Sequence, residues 1–199
     1  MPLRERRQQQ TLLEISSAAV DLFAERGFSE ITVEEIARAA GVSLRTFHRY
    51  FPSKEHAVCP VLDAGWKAFM DAFAARPGDE PVLDGLVAAL SESLDGEIAR
   101  RHMQFIQGLP GSPALEPVWL AVLDRCQTGL RPVLARRLGL APDSPRARLT
   151  AACVLAAIRI AVETWASDSG QPIVSTARTC LTHIGGCLLQ PANQAGTTT

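Results

Sequence analysis

Residues 31–55 read ITVEEIARAAGVSLRTFHRYFPSKE. Thr32 and Glu35 stand three apart, the spacing of a capping box, and Ile31 and Ile36 have hydrophobic-staple spacing, so a helix starts at about residue 33. Its apolar face is Val33, Ile36, Ala37 and Ala40, and Gly41 supplies the residue type that tolerates a left-handed turn at its end. Ser43 then caps a second helix. Phe47, Tyr50 and Phe51 recur at intervals of three and four and give that helix an aromatic inward stripe.

The other faces of the second helix carry Leu44, Arg45, Thr46, His48 and Arg49, with Arg45 and Thr46 in the first turn. In a helix-turn-helix, the first turn of the second helix meets base edges in the major groove. Pro52 stops this helix, and Ser53 is expected to cap a third that begins at Lys54. A cation there opposes the positive end of the helix dipole, a placement that a DNA phosphate would repair; the plain alternative is a solvated surface lysine. Residues 43–54 contain Arg45, Arg49 and Lys54 and no acid, a local charge of +3. Over residues 1–53 seven arginines face seven acids, so the basic character is segregated, as phosphate binding requires.

The stretch resembles the N-terminal signature of the TetR family of bacterial transcriptional regulators. The matching residues are Thr32, Val33, Ile36, Ala37, Ala40, Gly41, Val42, Ser43, Thr46, Phe47, His48, Tyr50, Phe51, Ser53, Lys54 and Glu55, without a gap. The likeness covers roughly residues 10–58; beyond them only a helical layout is shared. His48 departs from the tyrosine most common at its position. The resemblance implies an all-α protein with a three-helix DNA-binding head and a C-terminal body for ligand binding and dimerisation. It also implies a repressor released from its operator by a small molecule. Arg45, Thr46, His48 and Arg49, with Leu44 beside them, are the expected base or nearby contacts; Thr32, Ser43, Tyr50 and Lys54 are the expected phosphate contacts. Thr32 has a structural alternative as a cap.

Length and composition fit a globular protein: 199 residues, 47% hydrophobic, formal net charge −1. A chain of that charge is no general DNA-coating protein, so any nucleic-acid surface is local. MPLRERRQQQ leads into an amphipathic segment and not into the apolar core of a signal peptide, which predicts a cytoplasmic protein. The longest apolar run, residues 151–158, falls short of the about 20 residues that span a bilayer, so no membrane partner is expected. Cysteines 59, 126, 153, 180 and 187 are odd in number and spread out, which argues against a disulfide framework or a zinc site. Cys180 and Cys187, seven apart, leave a thiol redox-responsive regulator as an alternative.

Elsewhere the periodicity predicts helices over about 6–26, 53–75, 80–94, 97–108, 113–138, 144–168 and 172–189. Arg4, Arg6 and Arg7 precede the first as an arm able to follow a phosphate backbone or enter a minor groove, or else to fray in solvent. The domains are expected at 1–53 (head), 54–190 (body) and 191–199 (a disordered tail). No nucleophile, acid–base or metal-ligand constellation appears, so neither an enzyme nor a cofactor is indicated. Trp66, Phe69, Phe73, Met103, Phe105 and Trp119 are the candidate lining of a ligand pocket, the alternative being an ordinary core. Arg159 and Glu163, one turn apart, would orient a polar ligand or pair at a dimer seam.

Small residues in the last two helices (Ala151, Ala152, Ala156, Ala157, Ala161, Gly185 and Gly186) point to a homodimer through those helices, or to close packing inside one subunit. A two-fold protein predicts a palindromic double-stranded operator with half-sites about 34–36 Å apart. The competing class is a helical small-molecule binding protein that reads no DNA sequence.

Overall fold

The computed structural model describes residues 3–95, 99, 103, 105, 106, 113–168 and 170–190, except for the Cys187 side chain. The described helices are α1 (Leu3–Arg26), α2 (Val33–Ala39), α3 (Leu44–Tyr50), α4 (Cys59–Ala75), α5 (Val82–Ser93), α6 (Glu116–Leu138), α7 (Pro145–Ser167) and α8 (Ile173–Leu188). A 3₁₀ turn, His56–Val58, leads into α4. No strand occurs among the described residues. The helix expected at 97–108, His102 within it, and the tail at 191–199 lie largely or wholly outside those residues.

Two compact units make up the chain: residues 1–65 with 96–122, and residues 66–95 with 123–199. In the first, α1 packs against α2 and the 3₁₀ turn, and α2 against α3. Ile15, Ala19, Val20 and Phe23 of α1 are buried, as are Ile31, Ile36, Ala37, Phe47 and Phe51. Helix α1 begins at Leu3, three residues earlier than its periodicity predicts, because neither glycine nor proline interrupts the chain between Leu3 and Arg26. Arg4, Arg6 and Arg7 therefore stand on its exposed opening turns and do not form an extended arm.

Helix α4 also starts differently from its sequence expectation. Ser53 does not cap it; its hydroxyl bonds His56 Nδ1 at 3.0 Å, and the chain makes one tight turn before the α-helix opens at Cys59. The opening turn leaves backbone N–H groups without intrahelical partners. Pro60 removes one of them, and Val61 N–H donates to the hydroxyl of Ser16, which is fully buried on α1, at 3.1 Å. A buried serine 45 residues away thus does the work of a local cap.

In the second unit α7 and α8 pack along their lengths, and α5 lies against α8. Ala147, Ala151, Val154, Ala157, Ile158 and Ala161 form the buried face of α7, and Ile173, Ala177 and Leu181 that of α8. Ala151, Ala157 and Ala161 are thus used inside the subunit, whereas Ala152 is half-buried and Ala156 exposed. The turn after α4 is closed by Arg137, whose Nη1 donates to Arg76 O (2.9 Å) and Nη2 to Glu80 O (3.1 Å), with its guanidinium over the Phe73 ring. One described helix, Pro145–Ser167, has the length and apolar composition to cross a membrane, but its buried stripe packs on protein.

Candidate nucleic-acid interface

Helix α3 is positioned by hydrogen bonds at both ends of α2 and at its own first turn. Thr32 Oγ1 accepts from Glu35 N (3.3 Å) while Glu35 Oε2 accepts from Thr32 N (2.9 Å), a complete reciprocal cap on α2. At the other end of α2, Gly41 N donates to Arg38 O (3.1 Å) and Val42 N to Ala37 O (2.9 Å), the two bonds of a Schellman motif. That geometry needs the left-handed backbone that Gly41 adopts, φ +67°. Ser43 Oγ then accepts from Thr46 N (3.1 Å), and the two hydroxyls share a further bond of 2.9 Å.

Thus fixed, α3 turns Phe47 fully inward, with Phe51 also buried and its ring 5.5 Å from that of Phe47. The opposite side carries two adjacent rows of one-turn spacing: Leu44 with His48, and Arg45 with Arg49, all exposed. His48 stands edge-on to Phe47, and Arg49 lies over the Tyr50 ring at 4.8 Å. No carboxylate pairs with Arg45 or Arg49 among the described residues, and the first turn of α3 has no acid. Two guanidinium groups are therefore presented outward with their N–H donors available.

Several of the other expected contacts already have internal partners. The hydroxyls of Thr32 and Ser43 are engaged in caps, and Thr46 is half-buried against Ser43. Lys54 Nζ donates to Phe28 O and Ile31 O, both at 2.8 Å, and sits 4.3 Å from the centre of the Phe28 ring. It staples the 27–32 loop that feeds α2. Neither this tie nor Ser16 is visible in local sequence pattern, since the partners lie more than twenty residues away.

A further lock joins α1 to α2. Arg26 Nη1 pairs with Glu35 Oε1 at 2.8 Å, and the Thr32 backbone N–H together with Arg26 holds the Glu35 carboxyl at a pKa of about 2, below its ordinary 4.5. A lowered carboxylate pKa means that the unfolded chain binds the proton more readily. Its contribution to stability is complete above about pH 4.5 and lost as pH falls toward 2. Acid unfolding followed by circular dichroism is expected to show that dependence, and Glu35→Gln to flatten it over this window. An unchanged profile in the variant would remove Glu35 as its source.

The expected ligand-lining residues separate into two groups. Trp66, Phe69 and Phe73 form an aromatic row on α4, with ring centres 5.0 and 6.4 Å apart; Phe69 and Phe73 are buried and Trp66 is half-exposed. Met103, Phe105 and Trp119 belong to the first unit, where Phe105 is buried 6.3 Å from Phe23. Arg159 and Glu163 form a 3.3 Å ion pair on the exposed side of α7. Among the described residues no cluster of three or more His, Cys, Asp or Glu side chains is arranged to hold a metal ion. Cys59, Cys126, Cys153 and Cys180 form no disulfide among the described residues, and the Cys187 side chain lies outside them.

Residues 15–56 match the family described as bacterial regulatory proteins, tetR family, and residues 80–186 match the MftR C-terminal domain. The chain is similar to the HTH-type transcriptional regulator TcmR of Streptomyces glaucescens, at 30% identity over 82% of this chain and 76% of the relative. It is 27% identical to the transcriptional regulator MftR of Mycobacterium tuberculosis over 92% of this chain and 93% of that one. A crystal structure of a tetR-family transcriptional regulator from Streptomyces coelicolor shares the fold, with TM-score 0.61 and 21% identity over 93% of this chain and 81% of its own.

Proposed function

The chain belongs to the TetR family of bacterial regulatory proteins, and on that premise we propose how this transcription factor reads DNA and is released from it. The observation that carries the proposal is the outward face of α3, where Arg45 and Arg49 stand beside Leu44 and His48 without an internal carboxylate partner. Residues 1–53 are the DNA-reading head. Helix α3 lies in the major groove, Arg45 donates two hydrogen bonds to a guanine edge, and His48, Arg49 and Thr46 contact neighbouring bases or backbone. The backbone around the Thr32 and Ser43 caps, with Tyr50, approaches phosphates. Lys54 serves that surface chiefly by holding the loop ahead of α2.

Two copies join through α7 and α8, in which Leu149, Ala152, Cys153, Ala156 and Ile160 form a stripe on the side of α7 away from its own core. Leu149 and Ile160 are about half exposed, and the Arg159–Glu163 pair flanks the stripe, where a seam position suits it better than a ligand-orienting one. The dimer occupies a palindromic operator in the cytoplasm and represses until an apolar small molecule enters the second unit beside Trp66.

Selection of bound duplexes from a random pool tests this reading, and a two-fold symmetric winner is the expected result. On that duplex Arg45→Ala is expected to cost about 1–3 kcal/mol per half-site and to relax preference at one base pair. Equal loss on the selected and a random duplex would count against base reading. Lys54→Ala is expected to lower the melting temperature and leave the salt slope unchanged; a slope reduced by about one per protomer would instead make Lys54 a phosphate ligand.

A further inference from the structure

Leu44 is the first residue of α3 and is 41% exposed. It lies outside the buried Phe47–Phe51 stripe, and the cap before it is already made by Ser43, so neither core packing nor capping explains a large apolar side chain there. Isolated exposed leucines need no explanation in general. This one differs in its neighbours. It shares one ridge with His48 and stands next to the Arg45–Arg49 ridge, on the face that the proposed reading puts against base edges.

In the major groove the apolar feature of a base pair is the methyl group on C5 of a pyrimidine. We infer that Leu44 is a specificity-determining residue that covers such a methyl group, while the adjacent Arg45 reads a guanine. The inference rests on the DNA-binding reading above and adds a chemical class to its target: a C5-methylated pyrimidine one or two steps from the guanine. A thymine and a 5-methylcytosine offer the same methyl group, and the site distinguishes them only through contacts other than Leu44. Polar first-turn residues would gain hydrogen bonds from an exocyclic amino or carbonyl group, whereas leucine gains only by excluding water from an apolar surface.

The test uses the full-length protein and the duplex obtained by selection. Each thymine of a half-site is replaced singly by deoxyuridine, which removes the methyl group and keeps the base pairing; each cytosine is replaced singly by 5-methylcytosine. At one thymine position the wild-type protein is expected to bind about fourfold more weakly per half-site without the methyl group, the loss of one buried methyl. In Leu44→Ala the ratio between the thymine and uracil duplexes is expected to fall to about one, and in Leu44→Met, which keeps an apolar reach, to stay well above one. A gain at a 5-methylcytosine position that Leu44→Ala abolishes would identify methylated cytosine as the source. A selected duplex with no methyl dependence, or with a dependence that Leu44→Ala leaves intact, overturns the inference and leaves the regulator reading standing. Failure to select any duplex overturns both.

Discussion

Raising the salt concentration from 50 to 200 mM is expected to weaken binding of the selected operator by about 10³- to 10⁵-fold. The magnitude follows from counterion release when about 6–10 phosphates are neutralised. The first unit carries the cations for this. Arg4, Arg6 and Arg7 stand on the first two turns of α1, and Arg45 and Arg49 on α3, all exposed and in the same unit. Two protomers supply enough of them, although the whole chain has a formal net charge of only −1. A protein of that charge binds nucleic acid through a segregated patch or not at all, so the salt slope measures the patch directly. Fluorescence anisotropy across a salt series checks it. A slope near zero would mean that the arginines of α1 and α3 stay in solvent when the duplex is present, and the groove-reading geometry would fall with it.

The parts of this head that sequence pattern reveals are those whose partners lie within a few residues. Thr32 and Glu35, Gly41 and Val42, and Ser43 and Thr46 close their hydrogen bonds over spacings of five residues or fewer, and each is legible as a spacing of residue types. The same holds for Phe47, because burial at a three- and four-residue period is a local pattern. What pattern does not reveal is where a side chain goes when several destinations are chemically equal. The Lys54 ammonium suits a phosphate as well as it suits two carbonyl oxygens. Its bonds to Phe28 O and Ile31 O exist because tertiary packing brings the 27–32 loop alongside it. Ser53 likewise has the composition of a cap, but its hydroxyl turns to His56, and the first turn of α4 draws its acceptor from Ser16 instead. Small residues behave in the same way in the second unit. Alanines on α7 signal close helix approach, and Ala151, Ala157 and Ala161 show it occurring inside the subunit, while Ala152 and Ala156 lie off that packed face.

Phe47→Ala is expected to destabilise the head by about 3–5 kcal/mol, the usual cost of removing a buried aromatic side chain without refilling its space. Phe47 is fully buried, and the rings of Phe51 and His48 lie against it at 5.5 Å, so the cavity would open beneath the face that carries Arg45 and Arg49. Helix α3 has only seven residues. Helices shorter than about 12 residues are marginal in water without tertiary packing, so α3 has no independent means of staying folded once this anchor is gone. The loss is a large share of the roughly 5–15 kcal/mol that stabilises a whole domain. Thermal melts should therefore show an earlier transition with reduced helicity, and operator affinity should fall with it even though no DNA-facing side chain has changed. Phe47→Leu, which refills most of the space, should recover most of both. Arg45→Ala supplies the contrast, since an exposed residue with no internal partner should lose operator preference while keeping the wild-type melt. If Phe47→Ala melted like the wild type and still lost the operator, Phe47 would be acting on DNA itself, which its complete burial beneath α3 forbids in this fold. If it melted early yet bound normally, α3 would owe its position to the Ser43 cap and the Gly41 turn alone.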